Sequence, residues 1–159
     1  MSPTEHLIPE TFTPTDDWLY RHIVEDSRVA MIYGDAAGIM RLWNKGAEDI
    51  FGWTAEEALG RSMDLIIPEK HRATHWEGYY RVMKTGVTKY GRNVLAVPAL
   101  TKGGRRVSIE FNVVLLKAPS GEVIGIAAIL QDVTARWERD KALRQRLAAA
   151  EAKAQAATH

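Results

Sequence analysis

The spacing of apolar and polar positions changes several times along the chain. Apolar residues at helical spacing after Thr15 predict an amphipathic N-terminal helix over residues 14–26, whereas residues 1–13 show no periodicity and predict a flexible arm. Two short apolar runs, Arg28–Tyr33 and Ile39–Trp43, flank a glycine-containing turn. This pattern predicts a β-hairpin.

The middle of the chain predicts a series of short helices, and the part after it predicts three strands. Capping residues and glycine or proline stops mark the ends of the helices. The predicted helices are Asn44–Phe51, Thr54–Gly60, Asp64–Pro68 and His71–Thr85, and the predicted strands are Tyr90–Leu100, Arg105–Lys117 and Val123–Asp132. The order of elements is therefore two strands, several helices and three strands.

Apolar side chains alternate with polar ones in the predicted fourth strand. Ile109, Phe111 and Val113 fall on one side, and Ser108 and Glu110 fall on the other. One face of this strand is thus expected to be buried. In the third and fifth strands the pattern leaves open which face is buried.

Residues 134–159 contain no Gly or Pro and are rich in Ala, Arg, Leu and Glu, which predicts a terminal helix. Leu143, Leu147, Ala150 and Ala154 recur at spacings of 4, 3 and 4 residues, a short seam that suits pairing with another helix. A solvated helix that frays at its end is the alternative.

The composition excludes several classes of function. The 159 residues include no cysteine, which rules out disulfides, thiolate zinc sites, iron–sulfur clusters and cysteinyl chemistry. The formal net charge of +1 gives no support for nucleic acid as a partner. No segment approaches the roughly 20 apolar residues that span a bilayer, and no signal peptide pattern is visible, so we expect a cytoplasmic protein without membrane contact.

Several motifs resemble those of the PAS family. Asn44–Trp53 and Glu56–Arg61 resemble the helical stretch after the family's second strand, Lys102–Gly104 resembles its hairpin between the third and fourth strands, and Asp132–Thr134 resembles its exit into an output helix. The resemblance implies an α+β PAS fold, with a five-stranded antiparallel sheet, helices covering one face, and a cavity for a ligand. The PAS core would be residues 27–133.

The same resemblance implies where a signal leaves the domain. Asp132 and Thr134 would be signal-output residues at the junction between the last strand and a coiled-coil-like output helix over residues 134–159. No Gly or Pro interrupts this junction.

The long helix resembles that of the FixL type of heme-binding PAS domains over Pro68–Arg81. His75 falls where that type has its proximal iron ligand, Tyr79 matches a further position, and Arg81 matches an arginine near the heme propionates. The resemblance therefore implies heme b with His75 as the iron ligand. A neutral imidazole suits iron, and a guanidinium suits a carboxylate.

Leu95 departs from the pattern of this type, because its oxygen-sensing members have an arginine there that bonds the bound oxygen. An apolar residue cannot stabilise partial negative charge on iron-bound oxygen, so carbon monoxide, nitric oxide or redox state become better candidate signals. Arg92 is an alternative only in a different strand register. Leu95, Phe111 and Val113 complete the candidate cofactor-binding residues.

The histidine also allows plainer interpretations. A lone histidine beside a tryptophan on an amphipathic helix is more often a packed core residue, and many PAS domains carry such helices without a cofactor. His71 and His75, four residues apart, could hold zinc, but no third ligand has suitable spacing.

Two functions are consistent with these features. The first is a sensor domain of signal transduction that binds a small ligand or heme and passes the change to the terminal helix. The second is a cofactor-free interaction module that forms a homodimer through its flanking helices, where Trp18, Leu19 and Trp137 lie. A kinase or a regulator would be the signalling partner. No nucleophile and base are paired by position, so we do not expect an enzyme.

Overall fold

The computed structural model describes residues 12–88 and 95–158. Its helices are α1 (Asp16–Asp26), α2 (Lys45–Phe51), α3 (Ala55–Ala58), α4 (Glu69–Thr85) and α5 (Thr134–Ala157), and its strands are β1 (Ala30–Asp35), β2 (Met40–Trp43), β3 (Leu95–Leu100), β4 (Arg106–Lys117) and β5 (Val123–Asp132). Most of the predicted N-terminal arm and the first part of the predicted third strand lie outside the described residues.

The five strands form one antiparallel sheet in the order β2-β1-β5-β4-β3. β5 is central, and it joins the N-terminal hairpin to the C-terminal pair of strands. The expected α+β architecture, a five-stranded antiparallel sheet with helices over one face, is confirmed.

The register of the strands settles which side of each strand faces the helices. Ala30, Leu130 and Phe111 lie side by side across three strands, and the backbone of Leu95 pairs with that of Phe111. Buried or half-buried residues at the same parity make up the inner face. Ile124 shares this parity but is 43% exposed, next to the register shift in the pairing of β4 with β5. The inner-facing residues packed in or against the core are Ala30, Ile32, Val97, Ala99, Val107, Ile109, Phe111, Ile126, Ala128 and Leu130.

Local capping explains where the short helices begin. The side chain of Asn44 accepts the N–H of Ala47 at the start of α2, and Thr54 and Glu57 form a reciprocal capping box on α3. The short helix predicted at Asp64–Pro68 is instead a 3₁₀ turn over Met63–Ile66, since Ser62 caps it two residues earlier.

The flanking helices are poorly buried. Neither α1 nor α5 contains a buried residue, although α5 is 24 residues long. Across residues 12–88 and 95–158, no helix combines the length and apolar character needed to cross a bilayer.

Candidate functional site

Helix α4 is fixed to the first hairpin through Tyr79. This side chain is 5% exposed, and its hydroxyl proton is shared between the carbonyl oxygens of Asp35 at 2.6 Å and Gly34 at 3.1 Å. A Cβ built on Gly34 would lie 2.9 Å from the Tyr79 hydroxyl. The absence of a side chain on Gly34 therefore makes room for this contact.

Trp76, one turn before Tyr79, attaches α4 to a second part of the chain. Its indole N–H donates to Oδ1 of Asp64 at 2.7 Å, and its ring covers Gly38, where an added Cβ would come within 2.1 Å of the ring. Gly38 also has a φ of 76°, which favours glycine. Both aromatic residues thus set the distance between α4 and the sheet.

His75 contacts both of these aromatic residues. Its ring centroid is 4.8 Å from that of Trp76 and 5.7 Å from that of Tyr79. The residue is half-buried, and its Nδ1 is buried without a hydrogen-bond partner among the described residues. Burial lowers the pKa of His75, against the opposing effect of the Asp64 carboxylate. The structure therefore favours a neutral imidazole with one uncommitted ring nitrogen.

The other predicted cofactor residues are spread over two surfaces. Phe111 and Val113 lie half-buried on the inner side of β4, at the parity that faces the helices. The backbone of Leu95 pairs with Phe111, but its side chain and all of Arg92 lie outside the described part of the chain. Arg81 is on the surface of α4, where its guanidinium pairs with Glu77 at 3.1 Å.

The structure brings the two predicted output residues into one hydrogen-bonded junction. A carboxylate oxygen of Asp132 accepts the backbone N–H of Thr134 at 2.9 Å and also bonds the Thr134 hydroxyl. Ser108 of β4 joins this junction, because its N–H donates to the Thr134 hydroxyl oxygen at 2.9 Å. The sequence alone gave no reason to include Ser108.

Asn44 is a second residue whose role exceeds what the sequence indicated. Among the described residues, this polar side chain is buried in the core, at 3% exposure. Its oxygen accepts from Met31 and Ala47, and its amide donates to carbonyl oxygens of Val24, Ser27 and Val29. A capping asparagine in the sequence predicts only the contact with the helix N–H.

Within the described ranges, no three His, Cys, Asp or Glu side chains are grouped so that they could hold a metal ion. His71 resembles His75 in having a buried ring nitrogen, Nε2, without a partner in this part of the chain. A zinc site built on these two histidines has no third protein ligand here.

Comparison with known families decides the assignment. The model of the PAS fold family matches residues 24–138, which span the sheet, the helices over it and the beginning of α5. The chain belongs to the PAS family. Domains of this family are generally sensory or interaction modules.

Relatives of this PAS domain are much longer than the chain itself. An uncharacterized protein of Azorhizobium caulinodans is 33% identical over 148 residues, covering 92% of this chain and 19% of that protein. The sensor protein FixL of Bradyrhizobium diazoefficiens is 30% identical over 90 residues, covering 57% of this chain and 16% of FixL. The chain thus spans less than a fifth of the length of either relative.

Solved structures agree on the fold. The PAS domain of a protein from Colwellia psychrerythraea superposes with a TM-score of 0.64 at 20% identity, covering 73% of this chain and 95% of that one. A sensory box histidine kinase/response regulator from Burkholderia thailandensis gives a TM-score of 0.60 at 17% identity, covering 83% of this chain and 97% of that one.

Proposed function

We propose that this PAS domain is a sensor domain of signal transduction, and that it binds a small ligand between α4 and the inner face of the sheet. The observation that carries the proposal is the uncommitted, buried Nδ1 of His75. A buried polar atom without a partner costs stability, and a ligand that bonds the ring would offset that cost. The relation to a protein named as the sensor FixL supports a sensing role.

Heme b is the ligand we propose for this site. A half-buried imidazole whose pKa is lowered presents the neutral form that iron binds, so the chemistry of His75 fits an axial ligand. Arg81 lies on the surface of α4, and a propionate would have to compete with Glu77 for its guanidinium. When bound, heme supplies a redox-active iron that can take a diatomic gas. The apolar Leu95 favours carbon monoxide, nitric oxide or redox state over oxygen as the signal.

Absorption spectroscopy tests the heme proposal. Purified chain reconstituted with hemin should give a Soret band that shifts on reduction and on addition of carbon monoxide. His75→Ala should abolish or strongly shift that band, whereas His22→Ala, on α1 where its ring stacks on Trp18, should leave it unchanged. A wild-type chain without the band, or a His75→Ala chain with an identical one, would refute heme ligation by His75.

We further propose that the bound ligand acts on α5 through the Asp132–Thr134 junction. β5 contributes inner-face residues such as Ala128 and Leu130 and runs into α5 with only Val133 between them. A shift of β5 would therefore change the hydrogen bonds of Thr134 directly. Amide exchange at residues 132–137 should differ between the hemin-loaded and the free chain, and Thr134→Val should reduce that difference. Equal exchange in both states would contradict the proposal.

A cofactor-free interaction module is the second candidate, because the flanking helices expose large apolar side chains. Ile23 on α1 and Leu143 and Leu147 on α5 are 61%, 58% and 60% exposed. On this hypothesis a second copy pairs along α5, and a kinase or a regulator binds the dimer. Sedimentation analysis should show a dimer that becomes a monomer when residues 143–159 are deleted. A monomer before and after the deletion would reject this candidate.

A further inference from the structure

The first turn of α5 is bonded to β4, although α5 continues from β5. The N–H of Val133 donates to the carbonyl oxygen of Ser108 at 2.8 Å, and the N–H of Ser108 donates to Thr134 Oγ1 at 2.9 Å. Both backbone polar groups of one β4 residue are thus used by the junction. Thr134 connects the two strands, because it also bonds Asp132 at the end of β5.

A charged contact extends this attachment by half a turn. Nη2 of Arg136 lies 2.6 Å from Oε1 of Glu110, which is two residues beyond Ser108 on the same face of β4. The side chain of Glu110 is 27% exposed, so the pair is partly shielded from solvent. The hydrogen bond to Glu110 and its charge raise the pKa of Arg136. Short charge-assisted bonds of this kind fix geometry better than a loose surface pair.

Beyond Arg136, the structure shows no hydrogen bond or ion pair from α5 to another element of the described chain. Trp137 is 45% exposed, and the last twenty or so residues of the helix, at about 1.5 Å each, extend roughly 30 Å from the domain. A small rotation at the first turn would therefore move the end of α5 by many ångströms. The contact at Arg136 is the last one before the exposed part of α5, so it has the largest influence on the direction of that part.

We propose that the Glu110–Arg136 ion pair sets the direction in which α5 leaves the sheet and ties the helix to β4. Glu110 lies between Ile109 and Phe111, which face the core from the opposite side of the strand. A displacement of the inner face of β4 would thus act on α5 without passing through β5. The inference rests on the proposed function only in treating α5 as the output helix, since the attachment itself requires no ligand.

The absence of cysteine permits a direct test on the free chain. Spin labels are attached at Gly103→Cys, where an added Cβ meets nothing within 4 Å, and at the exposed Ala149→Cys on α5. Pulsed electron resonance then measures the distance between the labels. Arg136→Gln and Glu110→Gln should each shift or broaden the distribution, and the exchange E110R/R136E should narrow it again. Arg139→Gln serves as the control, because Arg139 lies on the same helix and the structure shows no ion pair for it.

Salt dependence gives a second test, because a contact that acts only through packing should not respond to ionic strength. Raising ionic strength from about 0.15 M to 1 M shortens the screening length from about 8 Å to 3 Å, so the wild-type distribution should broaden toward that of Arg136→Gln. The Arg136→Gln distribution should itself respond little to salt. A wild-type distribution that is unaffected by Arg136→Gln, or an exchange variant that behaves like the single variants, would overturn the inference. Neither result bears on hemin binding, which the absorption experiment decides separately.

Discussion

Two helical glycines illustrate how the same substitution should have opposite effects at different residues. A Cβ on Gly46 in α2 would lie 2.5 Å from backbone atoms of Val29 and Ala30, whereas a Cβ on Gly78 in α4 would meet nothing within 4 Å. Gly78→Ala should raise the free energy of unfolding by about 0.5–1 kcal/mol through helix propensity. Gly46→Ala should lower it by roughly 1–3 kcal/mol, because α2 must move away from β1. Urea unfolding of the pair measures both signs, and a stabilising Gly46→Ala would contradict the packing described here.

His75 should give the free domain a specific dependence of stability on pH. Burial lowers its pKa below 6.5 in the folded chain, so near that pH the unfolded chain binds more protons at this residue than the folded chain does. Stability should therefore decrease as pH falls below about 6.5, and this contribution should level off once the folded imidazole is itself protonated. His75→Gln should flatten the profile in this window. Parallel profiles for wild type and His75→Gln would show that burial of His75 has no such effect.

At the scale of elements, Asn44 should hold α1, β1 and α2 together. Its side chain bonds the end of α1 at Val24, the start of β1 at Met31 and the start of α2 at Ala47. Asn44→Ala leaves these backbone groups without partners and should lower the free energy of unfolding by about 2–4 kcal/mol. Amide exchange should increase in α1 more than in β4. The matched control is Asn112→Ala on the outer face of β4, a side chain without a hydrogen bond among the described residues.

The sequence predicted the elements well where a single local signal determines them. The turn before β2, the glycine that ends α2 and the alternation in β4 each depend on neighbouring residues, and the observed elements follow them. Contacts between distant segments were not predictable in this way. Nothing near Arg136 in the sequence points to Glu110, 26 residues away, and nothing near Tyr79 points to the carbonyl oxygens of the first hairpin. Which face of β5 is buried could likewise be decided only from its pairing with β1, since both faces of β5 contain apolar residues.

The candidate site shows the same division. His75 and Tyr79 could be placed on one helix from their spacing, and the structure does place their rings side by side. The i, i+4 spacing of Glu77 and Arg81 is enough to indicate their ion pair. The sequence could not show that the Tyr79 hydroxyl is already committed to Gly34 and Asp35, because that contact joins segments more than 40 residues apart.

For the whole molecule, the described contacts divide the chain into a packed domain and a helix that adds little to its stability. Residues of α5 after Arg136 contain no buried side chain, so their removal exposes little new apolar surface. At a concentration where the chain is monomeric, deleting residues 143–159 should change the free energy of unfolding by less than about 0.5 kcal/mol. Tryptophan fluorescence in urea reports this value through the buried Trp43, while far-ultraviolet circular dichroism should lose helical signal.

A longer deletion should behave differently, because it removes the attachment to β4. Deleting residues 134–159 eliminates the Thr134 and Arg136 contacts and leaves Glu110 and the N–H of Ser108 without these partners. Stability should then fall by about 1–3 kcal/mol, which separates the anchoring turn from the rest of the helix. If both deletions lowered stability equally, the distal part of α5 would have to pack on the domain, and the free projection of the helix on which the Glu110–Arg136 inference depends would be incorrect. Equal and negligible effects would instead mean that the junction holds the helix without stabilising the sheet.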